Sequence, residues 1–483
     1  MNTTSQYDNR SEAAPTEDTQ PVSDSYENLH KPSSEFDTRD EYLEHELQIM
    51  QPKRWRPNLP FRDYRFEFED TIPALAGTIG KVVMVSAIAG TFAVFILIFS
   101  GFILPTANLA GTHGPLIPLI PIVVAAGGHP MAFGLLIGAF GLILALSKGG
   151  SLLARLTSKG VCGGLLLYLG FIGTISQVKK LFAWAEDIQM THIAFIVILA
   201  TILLYALLEH FKKRWLAVPL SCLIGGVTAF SLGAPFEFKT APGLPNINPM
   251  YWWGENTGWM LGMPTLESFV VVLPFAVLAV AMWSPDFLGH QVFQKISYPQ
   301  RTEKVQMNID DTMLSASVRQ TFGSILGGSN FASSWGTYIV PAAIAKRPIP
   351  AGAILTALFC IIAGVWGYPM DLAIWQPVLC VALIVGVFIP LLEAGMEMTR
   401  EGKTTQSAAI VVFASTLVNP AFGWSLTMLL DNLGLIGCKK RSAELTHMSR
   451  WIIPVVMFVL LTLVMAMVGM LPGIPALMSD FRH

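Results

Sequence analysis

Runs of about 20 apolar residues recur in this chain from residue 72 onward, the length at which a helix crosses the hydrocarbon core of a bilayer. In lipid every backbone N–H and C=O must be bonded inside the protein, so such a run folds as a helix. A transmembrane β-barrel is excluded, because barrel strands alternate in polarity every second residue and these runs are uninterrupted. The charge content agrees. Of 483 residues, 53% are hydrophobic and only 13% charged, too few charges for a water-soluble domain. The sequence predicts an all-α polytopic membrane protein.

Residues 1–50 differ in kind. They hold twelve acidic and three basic side chains and cannot bury a core, so they read as a disordered acidic tail. No apolar stretch follows a basic start, so the tail is not a secretory signal. Residues 51–71 are a juxtamembrane segment. Apolar segments follow at 72–91, 92–107, 112–126, 130–147, 160–178, 191–210, 215–233, 266–288, 313–327, 329–344, 351–369, 377–396, 406–418, 421–437 and 451–472. The net charge of −2 gives no sign of a nucleic-acid partner. None of the five cysteines forms a CxxC pair, and they read as small buried hydrophobes.

Lys and Arg in short loops set orientation. With the tail and Lys53, Arg54 and Arg56 cytoplasmic, alternate loops are basic. Clusters at 148–159, 212–214, 295–304, 346–347, 400–403 and 439–450 all fall on the tail's side. This agreement supports reading 406–437 as two short crossings, and it leaves 451–472 as an extra fifteenth span. Trp252, Trp253, Trp259 and Tyr251 fit an outer aromatic belt, and Arg319 fits an anchor at the cytoplasmic face, with Asp310 or Asp311 as a partner within reach.

Two segments are too short to span straight. One contains GTHGPLIPLIP (111–121) and the other GGSNFASSWGTYIVP (327–341), and each is third in a run of seven. The runs give a first repeat at 72–237 and a second at 266–437, inverted because seven is odd. Short or broken helices at matching places in inverted halves point to a transporter's binding site. Residues 327–341 then read as unwound backbone and a half-helix start lining a cavity. The alternative is a close helix contact through small residues.

At these motifs the chain resembles the superfamily of anion exchangers, sulfate permeases and nucleobase–ascorbate transporters over roughly 70–437. GTHGPLIPLI (111–120) resembles the GP-rich third helix, APGLPNINP (241–249) the GLP loop, and FGSILGGSNFASSWGTY (322–338) the ninth-to-tenth helix pattern. SAAIVVFASTLVNPAFGWSLTMLL (407–430) resembles the paired short last helices. The resemblance implies a core of segments 1–4 and 8–11, and a gate of segments 5–7 and 12–14. It further implies a substrate held between facing half-helices, and elevator motion of core against gate in a homodimer. The C-terminal regulatory domain common in sulfate permeases is not expected here.

Half-helix N-termini present unpaired N–H groups and partial positive charge to a ligand. Thr112, Gly114, Ser329, Asn330, Ser333, Ser334 and Thr337 are the substrate-binding candidates, with Gly111, Gly327 and Gly328 allowing close backbone approach. Asp286, in AMWSPDFLGHQ (281–291), is a carboxylate inside an apolar segment, costly there and so a substrate- and ion-coupling candidate. DFLGH resembles the ExxG(H/N) motif of nucleobase transporters, one turn beyond the family's acid, which falls near Met282. The other reading of Asp286 is a carboxylate at the membrane surface. His290 is placed at the interface and Glu393 and Glu397 at the surface. Lys81 interrupts the first span and is either a site residue or a snorkelling one. Where nucleobase transporters carry Glu or Gln after Thr-Tyr, this chain has Ile339, Val340 and Pro341.

The sequence therefore predicts a secondary transporter of a small anion, coupled to H⁺ or Na⁺, in a bacterial inner membrane with lipid around it. A nucleobase–cation symporter is the alternative within transporters, and an anion channel the alternative outside them. No HExxH or GxSxG is present, and EGKTT lacks the P-loop spacing, so neither an enzyme nor an ATP-driven pump is expected. No cofactor is expected.

Overall fold

The structure is a computed structural model that describes residues 120–211, 213, 216–236, 248–297, 307–327, 375–400 and 404–478. Among these residues there are helices and no strand. In order they are α1 (Ile120–Ala125), α2 (Pro130–Leu146), α3 (Gly149–Leu156), α4 (Lys159–Asp187), α5 (Thr191–His210), α6 (Ala217–Ser231), α7 (Pro249–Trp252) and α8 (Leu266–Ala281). Then come α9 (Trp283–Ser297), α10 (Ile309–Ile325), α11 (Gln376–Leu383), α12 (Ile389–Met398), α13 (Thr405–Leu417), α14 (Pro420–Asn432), α15 (Lys439–Glu444) and α16 (Ile453–Met467). Five stretches among them are long and apolar enough to cross a membrane: Lys159–Asp187, Thr191–His210, Leu266–Phe293, Gln376–Met398 and Met448–Met467. The chain is an integral membrane protein.

Local chemistry explains the breaks. Ser158 caps α4 by accepting from the Val161 amide, Thr265 and Ser268 form a capping box on α8, and Asn419 caps α14 ahead of Pro420. Pro285 removes an amide and crowds the carbonyl four residues earlier, and α8 breaks from α9 at Met282. A π turn (Ile384–Phe388) precedes Pro390, and another (Met448–Ile452) precedes Pro454. In each, an amide bonds five residues back, Ile389 to Ile384 and Ile453 to Met448, which widens the helix where the proline ring needs room. The run 406–437 is two 13-residue helices, α13 and α14, packed on each other, each about 20 Å long and too short to cross alone.

The helices pack in two groups. α2, α8 and α10 pack together, and α4, α5, α6, α11, α12, α13 and α14 form the other set. α4 is the hub of the second set, and its glycines let backbones touch. A Cβ on Gly164 would stand 2.5 Å from the Ala408 carbonyl oxygen, and one on Gly163 3.0 Å from that of Gly395. α9 lies along the seam, packing on α10 on one side and on α4 and α12 on the other. The extra helix α16 packs on both α14 and α8, so it too bridges the groups.

Two of the basic clusters, 148–159 and 439–450, meet at one end of the described helices. α3 turns 80° from α2 at Ser147–Lys148, with Lys148 in the left-handed region at φ 55°. Ser151 on α3 donates its amide to Asp310 at the start of α10 (3.1 Å), and its hydroxyl bonds the same carboxylate. Arg441 donates to the carbonyls of Arg155 (3.0 Å) and Leu156 (2.7 Å) at the end of α3. The turn before α4 and the segment after α14 therefore lie together beside the start of α10, as the charge pattern requires of those two clusters.

Candidate functional site

Asp286 and His290 lie one turn apart on α9, with side chains 0% exposed and Asp286 Oδ2 3.9 Å from His290 Nε2. Both side chains are enclosed by protein rather than exposed on its surface. Pro285 fixes their position: its carbonyl accepts the thiol of Cys162 on α4 at 3.3 Å, tying the carboxylate's turn to the second helix group. On the adjoining face, Trp283, Phe287 and His290 stack in sequence, with ring centroids 5.8 and 5.7 Å apart. The hydroxyl of Ser284 is buried with no hydrogen-bond partner among the described residues. Asp286 thus stands where the two groups meet.

α10 explains how so polar a helix is held in a membrane. Twelve of its residues are buried, including Asp310, Asp311, Thr312, Ser315, Ser317, Arg319, Gln320 and Ser324. It runs antiparallel to α2, against a glycine stripe at i, i+4 and i+7. Cβ atoms on Gly134, Gly138 and Gly141 would collide with Ser324, Thr321 and Ser317 respectively. The hydroxyls of Ser317, Thr321 and Ser324 bond carbonyls four residues back, which satisfies them without a second helix. Arg319 is 1% exposed and donates from Nε to the Ser315 carbonyl at 3.2 Å. It is no interfacial anchor. The helix starts at Ile309, capped by Asn308, so Arg319 lies about 15 Å along it.

The other end of α10 is closed by aromatic donors. A helix leaves its last carbonyls unbonded. Trp253 Nε1 donates to Ser324 (2.9 Å) and Ile325 (3.0 Å), and Trp259 Nε1 to Gly327 (2.9 Å). Trp253 is 1% exposed, so it is a buried cap and no belt residue. Gly327 has φ 81°, and a Cβ there would strike the Trp252 indole, so this glycine ends α10 against the tryptophans. His129 joins the same cap. It accepts from the Met131 amide at the start of α2 and bonds the Gly262 carbonyl at 3.0 Å.

Thr112, Gly114, Ser329, Asn330, Ser333, Ser334 and Thr337 lie outside the described residues, as do Gly111, Gly328, Lys81 and Cys360. Of the predicted site, Asp286 is described, and the structure brings His290 and Cys162 to it. Glu393 is half-buried and accepts from the Tyr205 hydroxyl at 2.7 Å, while Glu397 faces the exposed Arg400 at 3.8 Å. Cys162, Cys222 and Cys380 are buried, as expected, and Cys438 is partly exposed. Sequence reasoning missed the depth of Arg319. The signal was present in Asn308 followed by Asp310 and Asp311, a capped helix start well before the apolar stretch.

Comparison with known proteins completes the picture. The family model described as "Protein of unknown function (DUF3360)" matches residues 17–95 and 90–478. No curated protein matches the chain in sequence. Among solved structures, one of Solute Carrier 26 family member A9 superposes with a TM-score of 0.54 at 12% identity, covering 83% of this chain and 70% of that one. Another, of the murine protein as an anion transporter in the inward-facing state, gives 0.54 at 12% over 88% and 76%. The transmembrane domain of a cyanobacterium bicarbonate transporter, BicA, gives 0.45 at 13% over 76% and 97%. At 12% identity the two matches with a TM-score of 0.54 show the fold alone, which this chain shares with the Solute Carrier 26 structures.

Proposed function

We propose that this chain, which belongs to the DUF3360 family, is a secondary active transporter that moves a small inorganic or organic anion by elevator-type alternating access. The observation that carries the reading is the fully buried Asp286–His290 pair at the seam between two helix groups, in a chain with the fold of a Solute Carrier 26 anion transporter. An ionisable pair at membrane depth marks a solute or ion path by default, because its desolvation is costly. A seam between two separately packed groups is where one group can slide on the other without unpacking either core. In this reading α2, α8 and α10 belong to the moving core, and α4–α6 with α11–α14 form the gate. The substrate lies between the segments around 111–126 and 327–341, with Thr112, Gly114, Ser329, Asn330, Ser333, Ser334 and Thr337 lining it. Asp286 carries the coupling to H⁺ or Na⁺, with His290 beside it. The chain works as a homodimer in a bacterial inner membrane, its acidic tail cytoplasmic.

The burial of His290 beside the carboxylate favours a second reading, a nucleobase–cation symporter, because DFLGH resembles that group's motif. Uptake by the full chain in proteoliposomes separates the two. The anion reading expects saturable, gradient-driven uptake of a labelled anion and none of uracil or xanthine. Flux that never saturates would mark a channel. Asp286→Asn is expected to abolish dependence on the H⁺ or Na⁺ gradient while the protein stays monodisperse. Unchanged gradient dependence in a folded variant would remove Asp286 from the mechanism.

A further inference from the structure

We propose that the foot of α16 holds an anionic phospholipid, its phosphate between Arg450 and the lysines of α15 and its acyl chains along the bare side of α16. The site is separate from the transport reading and does not depend on it. α16 lies outside the two runs of seven segments. Its outward side, with Trp451, Val455, Val456, Val459 and Leu463, is exposed along the whole helix. In a bilayer that side meets acyl chains.

Register places its basic end. Phe458 meets Phe422 of α14 with ring centroids 5.8 Å apart, and Asn419 at the start of α14 donates to the Met465 sulfur at 3.0 Å. α16 therefore runs antiparallel to α14. Arg450 is eight residues before Phe458, and Asn432 is ten after Phe422, so the two come level within about one turn. Arg450, Pro454, Phe458, Leu461 and Met465 recur at helical spacing on the side that faces α14. The span from Met448 to Met467 is about 30 Å long, and Arg450 is third in it, at headgroup level. The Ser442 hydroxyl, on the Asn432 carbonyl, seats α15 at the same end.

The acceptors that could hold Arg450 for structural reasons are taken. The carbonyls of Leu429, Leu430 and Asp431 accept from the amides of Leu433, Leu435 and Gly434, and that of Asn432 from Ser442. The Asp431 carboxylate and the Asn432 side-chain oxygen serve Arg441. Arg450 Nε is buried with no hydrogen-bond partner among the described residues. Lys439 and Lys440 are exposed at the start of α15. Among the described residues no ion pair involves either lysine or Arg450. Residues 438–452 add one carboxylate, Glu444. Three cations thus gather where a helix leaves the bilayer, with Trp451 exposed beside them. A phosphodiester offers two oxygens to a guanidinium fork and a charge to the lysines. A zwitterionic lipid brings its own cation and gains less. A soluble phosphate shares the headgroup chemistry but gains nothing from the apolar side.

The test titrates the full chain, in neutral detergent, with phosphatidylglycerol, phosphatidylcholine or glycerol phosphate. Bound lipid is counted by native mass spectrometry. Phosphatidylglycerol should be retained ahead of phosphatidylcholine, and glycerol phosphate should not displace it. Near-surface cations contribute about fivefold each in affinity for anionic lipid. Arg450→Gln should therefore raise the half-saturating phosphatidylglycerol about fivefold, and the double variant Lys439→Gln, Lys440→Gln roughly twenty-fivefold. Lys213→Gln, at an exposed lysine between α5 and α6, should leave it unchanged. If Arg450→Gln does not fold, the double variant of the exposed lysines decides. Equal retention of the two lipids, or folded variants with wild-type half-saturation, overturns the proposal. Displacement by glycerol phosphate overturns it as well, by marking a site for a soluble anion.

Discussion

The backbone amide of Ser151 points at the carboxylate of Asp310, 3.1 Å away and 159 positions later in the chain. This bond seats the first turn of α3 on the first turn of α10 and closes the corner where the chain bends 80° after α2. Asp310 also supplies negative charge to the N-terminus of α3, where helix amides are unbonded. Asp310→Ala should lower stability by about 1.5–3 kcal/mol, the worth of hydrogen bonds to a charged group. Asp310→Asn, which keeps an acceptor, should cost less. Unfolding in mixed micelles checks both, and a wild-type midpoint for Asp310→Ala would show that the corner is held by other contacts.

Arg441 reaches four acceptors at once: Asp431 at 2.8 Å, Asn432 at 2.7 Å, and the carbonyls of Arg155 and Leu156. Asp431 also accepts from Ser407 at 2.8 Å, so α13, α14 and the end of α3 share one polar node. Only a planar fork serves so many partners from one side chain. Arg441→Ala should cost about 3 kcal/mol, because Asp431 is left buried without its cation. Arg441→Lys should recover part of that and no more. The pair is mostly buried, so 0.5 M salt should leave the difference between wild type and Arg441→Ala nearly unchanged; a difference that vanishes in salt would mark a surface ion pair.

Gly164 and Gly226 give a paired test of backbone contact. A methyl on Gly164 would meet the Ala408 backbone at 2.5 Å, while on Gly226 its nearest neighbour is the tip of Val378 at 3.2 Å. Gly164→Ala must separate α4 from α13 and should cost about 1–3 kcal/mol. Gly226→Ala should lie between neutral and a gain of about 0.5–1 kcal/mol from helix propensity, since a valine methyl can move. Thermal midpoints in detergent compare them. Equal effects would mean that the α4–α13 contact is looser than its geometry.

How much of this was legible beforehand varies by element. α5 covers Thr191–His210, the span predicted from its apolar run, and α13 and α14 break at Asn419–Pro420, inside the run that the basic loops required to be two pieces. These are local matters of length, capping and loop charge, which the chain carries in its own order. Arg319 and Trp253 are both buried, against expectation. Arg319 reads as a surface anchor because it stands near the start of an apolar run, and Trp253 as a belt residue because it sits among aromatics between two runs, yet neither position measures burial.

The sequence by itself determined that this protein lives in a bilayer and where several of the described helices begin and end, because backbone satisfaction in lipid and local capping act over short distances. Only the tertiary structure decided that the polar helix α10 is sheathed in protein by the glycines of α2, that Asp286 and His290 are sealed at the seam beside Cys162, and that tryptophans cap the end of α10. Burial of a polar side chain depends on what packs over it from elsewhere in the chain, and no periodicity along a single helix encodes that neighbour.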